Sequence, residues 1–215
     1  MTPGRTADPE NSATRAALLD AAQQIMLEEG YAAVSTRRLA ARAGANSALV
    51  YYYFGTMDNL FVELFRRGAE RSYQLQVEAL ASPQPLWALW DSIHEQSQNA
   101  LTMEFVALAN HRKTIRTEIA ESSTRFRTLQ LEAVTKAFAD YGYESDTYTP
   151  AAVVLLMSSI SRFLRMEEAF DVDTGHPDVV RLIETFLHDL EGPRRTSTAT
   201  ADFRTAPDPG PRSSS

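Results

Sequence analysis

Metal or general acid–base chemistry in this 215-residue chain would have to be built from four histidines and twenty-eight acidic residues. Two pairs have a helical spacing. Asp91 and His94 stand three apart and Glu184 and His188 four apart, which would put each pair on one helix face. Neither is the paired Glu-x-x-His set of a di-iron bundle, and both read as exposed helix contacts. With no cysteine there is no thiolate ligand, thiol nucleophile or disulfide. The chain also lacks a phosphate-binding glycine loop, a nucleophile elbow and an HExxH motif. It therefore reads as a non-enzyme, with no metal and no cofactor expected.

A different chemistry is written in "GANSALVYYYFGTMDNLF", residues 44–61. Tyrosine offers a hydroxyl to a phosphate oxygen and a flat ring to a sugar or a thymine methyl group. The formal charge of −7 argues against a polyanionic partner. Its distribution argues otherwise. Between Tyr31 and Met57 lie Arg37, Arg38 and Arg42 and no acid, so the excess of acid lies elsewhere. The three arginines can be a solvated helix face, but their place beside the turn at Gly44 favours contact with DNA. Arg42, two positions before that glycine, reads equally well as solvent-facing.

The elements that must hold these residues are helical. Ser12 can cap a first helix over 12–29, whose apolar face is Leu18, Ala22, Ile25 and Met26 and which Gly30 ends. Ser35 or Thr36 caps a short helix over 37–43, a second follows over 47–53, and Thr56 caps a longer one over 57–80. Stripes at Leu86, Leu89, Trp90 and Ile93 and at Leu101, Phe105 and Leu108 continue the pattern. A long helix over 114–140, one launched by Thr149-Pro150, and a last one over 177–190 complete it. Residues 192–215 hold 14 Pro, Gly, Ser or Thr in 24 positions, too little apolar surface to offset ordering, and are expected to be disordered. No apolar run approaches the roughly 20 residues of a membrane span and the start lacks the apolar centre of a secretion signal, so a cytoplasmic location is expected.

Two short helices joined at a glycine and braced by a third make a helix-turn-helix, whose second member can enter the major groove. On a helix over 47–53, Ser47, Ala48, Tyr51 and Tyr52 can point outward while Val50 and Phe54 turn inward.

Here the sequence resembles the tetracycline-repressor (TetR-like) family of bacterial regulators. The match runs through "ALLDAAQQIMLEEGYAAVSTRRLAARAGANSALVYYYFGTMDNL", about residues 16–60, with helix starts, glycine, tyrosines and capping threonine at the family spacing. The resemblance implies an all-α protein: a flexible N-terminus (1–11), a three-helix DNA-binding domain (12–56), and a larger helical effector-binding and dimerisation domain (57–191) reached through helix 57–80. It implies a DNA-binding regulator, a repressor released from a near-palindromic operator by a small, largely apolar effector; activation is the other sign. Carried over by position, Thr36 and Arg37 look like phosphate or base contacts. Asn46, Ser47, Ala48 and Leu49 fall where base edges are read, and Tyr51, Tyr52 and Tyr53 among groove and backbone contacts. Met57 departs from the pattern, since many relatives have lysine there. With few strong donors on the reading helix, Arg37, thymine methyl contacts or DNA shape would carry part of the specificity.

For the second domain, Trp87, Trp90, Met103, Phe105, Phe126, Met157 and Phe163 are by default core residues, some of which line the cavity the resemblance implies; Asn110, His111, Arg112 and Arg116 are candidate polar anchors. The last two helices are apolar around much of their circumference. Leu156, Ile160, Phe163, Leu182, Ile183, Phe186 and Leu190 are expected to form a four-helix homodimer interface. The partners are therefore double-stranded DNA, a small-molecule effector and a second copy, with no membrane. A contrasting reading is a helical small-molecule carrier or adaptor with a weakened DNA head.

Overall fold

The computed structural model describes residues 9–97 and 100–195. Among them are nine α-helices, one 3-10 turn at Tyr31–Ala33 and no strand: α1 (Pro9–Glu29), α2 (Thr36–Ala43), α3 (Ser47–Phe54), α4 (Met57–Leu80), α5 (Pro85–Ser97), α6 (Ala100–Ala109), α7 (Lys113–Asp140), α8 (Pro150–Glu168) and α9 (His176–Glu191). α1 begins before Ser12, since proline is tolerated in a first helical turn. Several starts are capped as the sequence suggests. Thr56 Oγ1 accepts from Asn59 N at 3.1 Å and Thr149 Oγ1 from Ala152 N at 3.2 Å. None of the described helices is long and apolar enough to cross a membrane.

Two apolar cores divide the molecule. The first joins α1, α2 and α3 to the first half of α4, and also takes Leu101, Phe105 and Leu108 of α6 and Ile115 of α7. The second is built from α5, the second half of α7, α8 and α9, around Trp87, Trp90, Val134, Phe138, Met157 and Leu187. Periodicity identified the buried face of α6 but not which neighbour it meets: its apolar stripe closes the head rather than the distal core.

Between the cores lies a buried polar layer. Gln130 Nε2 donates to Gln76 Oε1 at 3.0 Å and Gln76 Nε2 to Ser92 Oγ at 2.9 Å, tying α7, α4 and α5 together. Buried amides are tolerated here because they satisfy one another. The chain after α9 is also held. Gln84 Nε2 donates to the carbonyls of Glu191 and Pro193, Trp87 Nε1 donates to Gly192 O at 3.1 Å, and Arg195 N donates to Gln84 Oε1 at 2.8 Å. The expected unstructured tail thus loses its first four residues to a strap over α5; residues 196–215, like 1–8, lie outside the described residues.

Candidate nucleic-acid interface

α2 and α3 owe their geometry to a short series of local choices. Ser35, not Thr36, is the N-cap of α2, its Oγ accepting from Arg38 N. The helix ends at Gly44 with φ 63°, a left-handed conformation that a side chain would strain. Ala45 N then donates to Ala40 O at 2.9 Å, closing the end of α2. Asn46 caps α3 at once, its Oδ1 accepting from Ala48 N at 2.9 Å. The turn is short enough to fix the angle between the two helices, and Leu39, Ala40, Val50 and Phe54 are buried beneath it.

The outward side of α3 carries Ser47, Ala48, Tyr51 and Tyr52, all exposed. Tyr51 and Tyr52 are 58% and 65% exposed, unusual for large aromatic side chains with a core one turn away. Asn46 is exposed beside them, and Leu49 and Thr36 are half-buried at the edges. Tyr53 leaves the set: it is half-buried against the first core and its hydroxyl donates to Asn11 Oδ1 of α1 at 2.8 Å. Three consecutive helical residues span 200° of arc, so one of the three tyrosines must turn in.

The arginines separate too. Arg38 is paired with Glu29, and Arg42 with Glu28 at 2.6 Å, both acids at the end of α1. Arg37 is exposed and forms no ion pair among the described residues. Met57 is half-buried against the first core, packed rather than offered to solvent. A cleft of about 430 Å³ opens behind α3, lined by Arg15, Tyr53, Phe54, Asn59, Val62, Glu63 and Arg66.

The expected effector residues are brought together only in part. Trp87, Trp90 and Met157 are buried in the second core, and Phe105 in the first. Phe126 packs edge-on against Tyr73, ring centroids 5.4 Å apart. Met103, His111 and Phe163 are exposed. Of the candidate anchors, Arg112 pairs with Asp58 instead. The dimer set divides likewise. Leu156, Phe163 and Leu182 are about half to two-thirds exposed, whereas Ile183 is buried in its own chain and Phe186 packs against Tyr143 and Tyr148. The Asp91/His94 pair forms no site: Asp91 pairs with Arg194 and His94 lies beside Trp90. No group of three metal-ligating side chains occurs among the described residues. Arg127 and Ser161 are not singled out by the sequence, and for Ser161 the one signal is a polar residue between Met157 and Leu164 on the same helix face.

Residues 18–64 match the family described as "Bacterial regulatory proteins, tetR family". No curated protein matches the chain in sequence. Solved structures match the fold over most of the chain. A TetR transcription regulator from Haloarcula marismortui aligns with a TM-score of 0.68 at 19% identity, covering 83% of this chain and 97% of that one. GusR from Salmonella enterica aligns with a TM-score of 0.66 at 16% identity, covering 82% and 94%. A protein from Saccharomonospora viridis, described as a transcriptional regulator and solved in complex with choline, gives 0.65 at 18%, covering 83% and 95%. The head thus matches the tetR family of bacterial regulatory proteins in sequence, and the chain shares the fold of solved TetR regulators, an N-terminal helix-turn-helix domain carried on a larger helical C-terminal domain.

Proposed function

We propose that the protein represses transcription by binding a near-palindromic operator as a homodimer, and that a small, largely apolar effector releases it. The observation that carries this reading is the bare outer face of α3, where Tyr51 and Tyr52 stand in solvent beside Ser47 and Ala48 while Val50 and Phe54 anchor the same helix. Arg37, exposed and without an ion pair among the described residues, takes a phosphate at the start of α2, with Thr36 next to it. One recognition helix binds weakly, and two held at about 34–36 Å read two half-sites. The exposed apolar residues Leu155, Leu156 and Phe163 of α8 and Leu182 of α9 support pairing through those helices. Release follows if the effector binds better to a pose in which α4 carries the heads away from groove spacing.

The test is selection of DNA from a random duplex pool with the purified full chain, followed by retention at rising salt. A two-half-site motif with steeply salt-dependent binding is expected. Recovery of no motif refutes the DNA-reading role and favours the carrier or adaptor reading. Tight operator binding by effector-saturated dimer refutes the sign of the switch.

A further inference from the structure

Helical serines commonly donate their hydroxyl to the carbonyl one turn back. Ser158 does so, to Val154 O at 2.8 Å. Ser161, three residues on and fully buried, leaves its Oγ without a partner. Two more buried atoms share that condition, His94 Nδ1 and Arg127 Nη1, and these three are the buried side-chain nitrogens and oxygens left unpartnered among the described residues. Each is a desolvated donor or acceptor that a folded chain ordinarily satisfies.

Helix register brings them to one level. α4 and α7 run in the same direction, since Arg66 meets Glu118, Glu70 meets Arg125 and Gln76 meets Gln130. α5 returns along α4, so Ser92 meets the Gln76–Gln130 layer, and His94 lies half a turn further on, toward the turn of α7 that carries Arg127. α8 folds back along α7. Its residues Val153, Val154 and Met157 share the second core with Phe138, Ala137 and Val134, and one more turn brings Ser161 and Arg162 to the level of Gln130 and Arg127. Burial, and then the positive charge of Arg162, hold the Arg127 guanidinium below its ordinary range, consistent with two cations close together. Neither forms an ion pair among the described residues. The nearby acids Glu70 and Asp91 are taken by Arg125 and Arg194.

We propose that His94, Arg127 and Ser161, backed by Arg162, are the polar end of the effector site, and that the effector is an organic carboxylate with an apolar body. Two guanidinium groups outside any ion pair among the described residues repel a cation and suit the paired oxygens of a carboxylate. The serine hydroxyl and imidazole supply further hydrogen bonds, and buried Trp90, Ile93, Met157 and Leu164 supply apolar contact. The assignment rests on the regulator reading only in naming the ligand an effector.

Calorimetric titration of the full chain with octanoate, octanamide and octylamine tests the charge preference, alongside Arg127→Met and Ser161→Ala. Octanoate should bind about 10- to 100-fold tighter than octanamide, octylamine weakest, and Arg127→Met should remove that margin. Both variants should keep or raise Tm, because each replaces an unsatisfied buried group with an apolar one. Octanoate binding no tighter than octanamide, no binding by octanoate, or a Tm lowered by several degrees in Arg127→Met would overturn the proposal. Operator retention is measured separately on the same samples. Its loss in the unsubstituted chain counts against the regulator reading and leaves the octanoate comparison standing.

Discussion

Arg37→Ala isolates the electrostatic part of DNA binding, because this arginine is exposed and forms no ion pair among the described residues, whereas Arg38 and Arg42 are engaged with Glu29 and Glu28. Its removal should leave Tm within about 1 °C, the ordinary range for a surface site without partners. If each copy neutralises one phosphate, a dimer loses two such contacts. The slope of log K against log salt should then flatten by about 1.8, from roughly 0.9 per contact on duplex DNA. Between 50 and 200 mM salt the advantage of the unsubstituted protein should consequently shrink about 12-fold. Fluorescence anisotropy with a labelled operator and with an unrelated duplex, over that salt range, reads both quantities. The affinity loss should be similar on the two DNAs, as befits a backbone contact. An unchanged slope, or a loss confined to the operator, would refute the phosphate role and make Arg37 a base reader.

Phe163→Glu tests the pairing face: with the ring 53% exposed the fold should survive, while a carboxylate buried in an apolar interface should convert dimer to monomer in sedimentation velocity. A dimer that persists removes α8 from the interface. Phe105→Ala should cost about 3–5 kcal/mol, the usual range for truncating a buried phenylalanine, measured by denaturant unfolding; it should also weaken operator binding, since Phe105 lies in the core of the DNA-reading head. Loss of less than about 1 kcal/mol would place it outside that core. Hydrogen bonds from Arg125 and then Gln74 hold the Glu70 carboxyl below its ordinary range. Its stabilisation is therefore complete above the unfolded carboxylate value of about 4.3 and lost as pH falls through the lower folded value. The stability gap between the unsubstituted chain and Glu70→Gln, present at neutral pH, should close on acidification; a gap that widens would reverse the assigned direction.

The head was legible because its signals are local. The Thr56 cap, the α2 cap narrowed to Ser35 or Thr36, the left-handed Gly44 and the two inward residues of α3 each depend on neighbours within one helical turn. For Tyr53 the sequence left both a DNA contact and a core position open, and the partner that completes its inward turn, Asn11, lies 42 residues away. The distal site was obscured for the same reason on a larger scale. Trp87, Met103, Phe105 and Phe163 look alike as large apolar residues at helical spacing, yet two are buried in different cores and two are exposed. What separates them is which helices are neighbours, and periodicity does not encode that. Polar residues carried more information than their apolar surroundings: Gln76, Gln130, Arg127 and Ser161 have no reason to lie on packed faces unless something there meets them.

The two cores also bear on how ligand and DNA sites can communicate. α6 follows α5 closely in the chain but packs in the head, and Glu104 on α6 accepts the Tyr31 N–H at 2.6 Å. Phe105 stacks edge-on against Phe65 of α4, centroids 5.3 Å apart, and Arg112 at the entry to α7 pairs with Asp58 in the first turn of α4. We propose that a shift of α5 at His94 reaches the head by one of two routes, through α6 and its Glu104 bond to Tyr31 or through the Ser92–Gln76–Gln130 layer onto α4. The first route turns on one carboxylate. Glu104→Gln keeps the shape but replaces a charge-assisted bond with a neutral one, so DNA binding without ligand should be nearly unchanged while the ligand-induced loss of affinity becomes smaller. An unaltered ligand effect in anisotropy would assign the coupling to α4 alone.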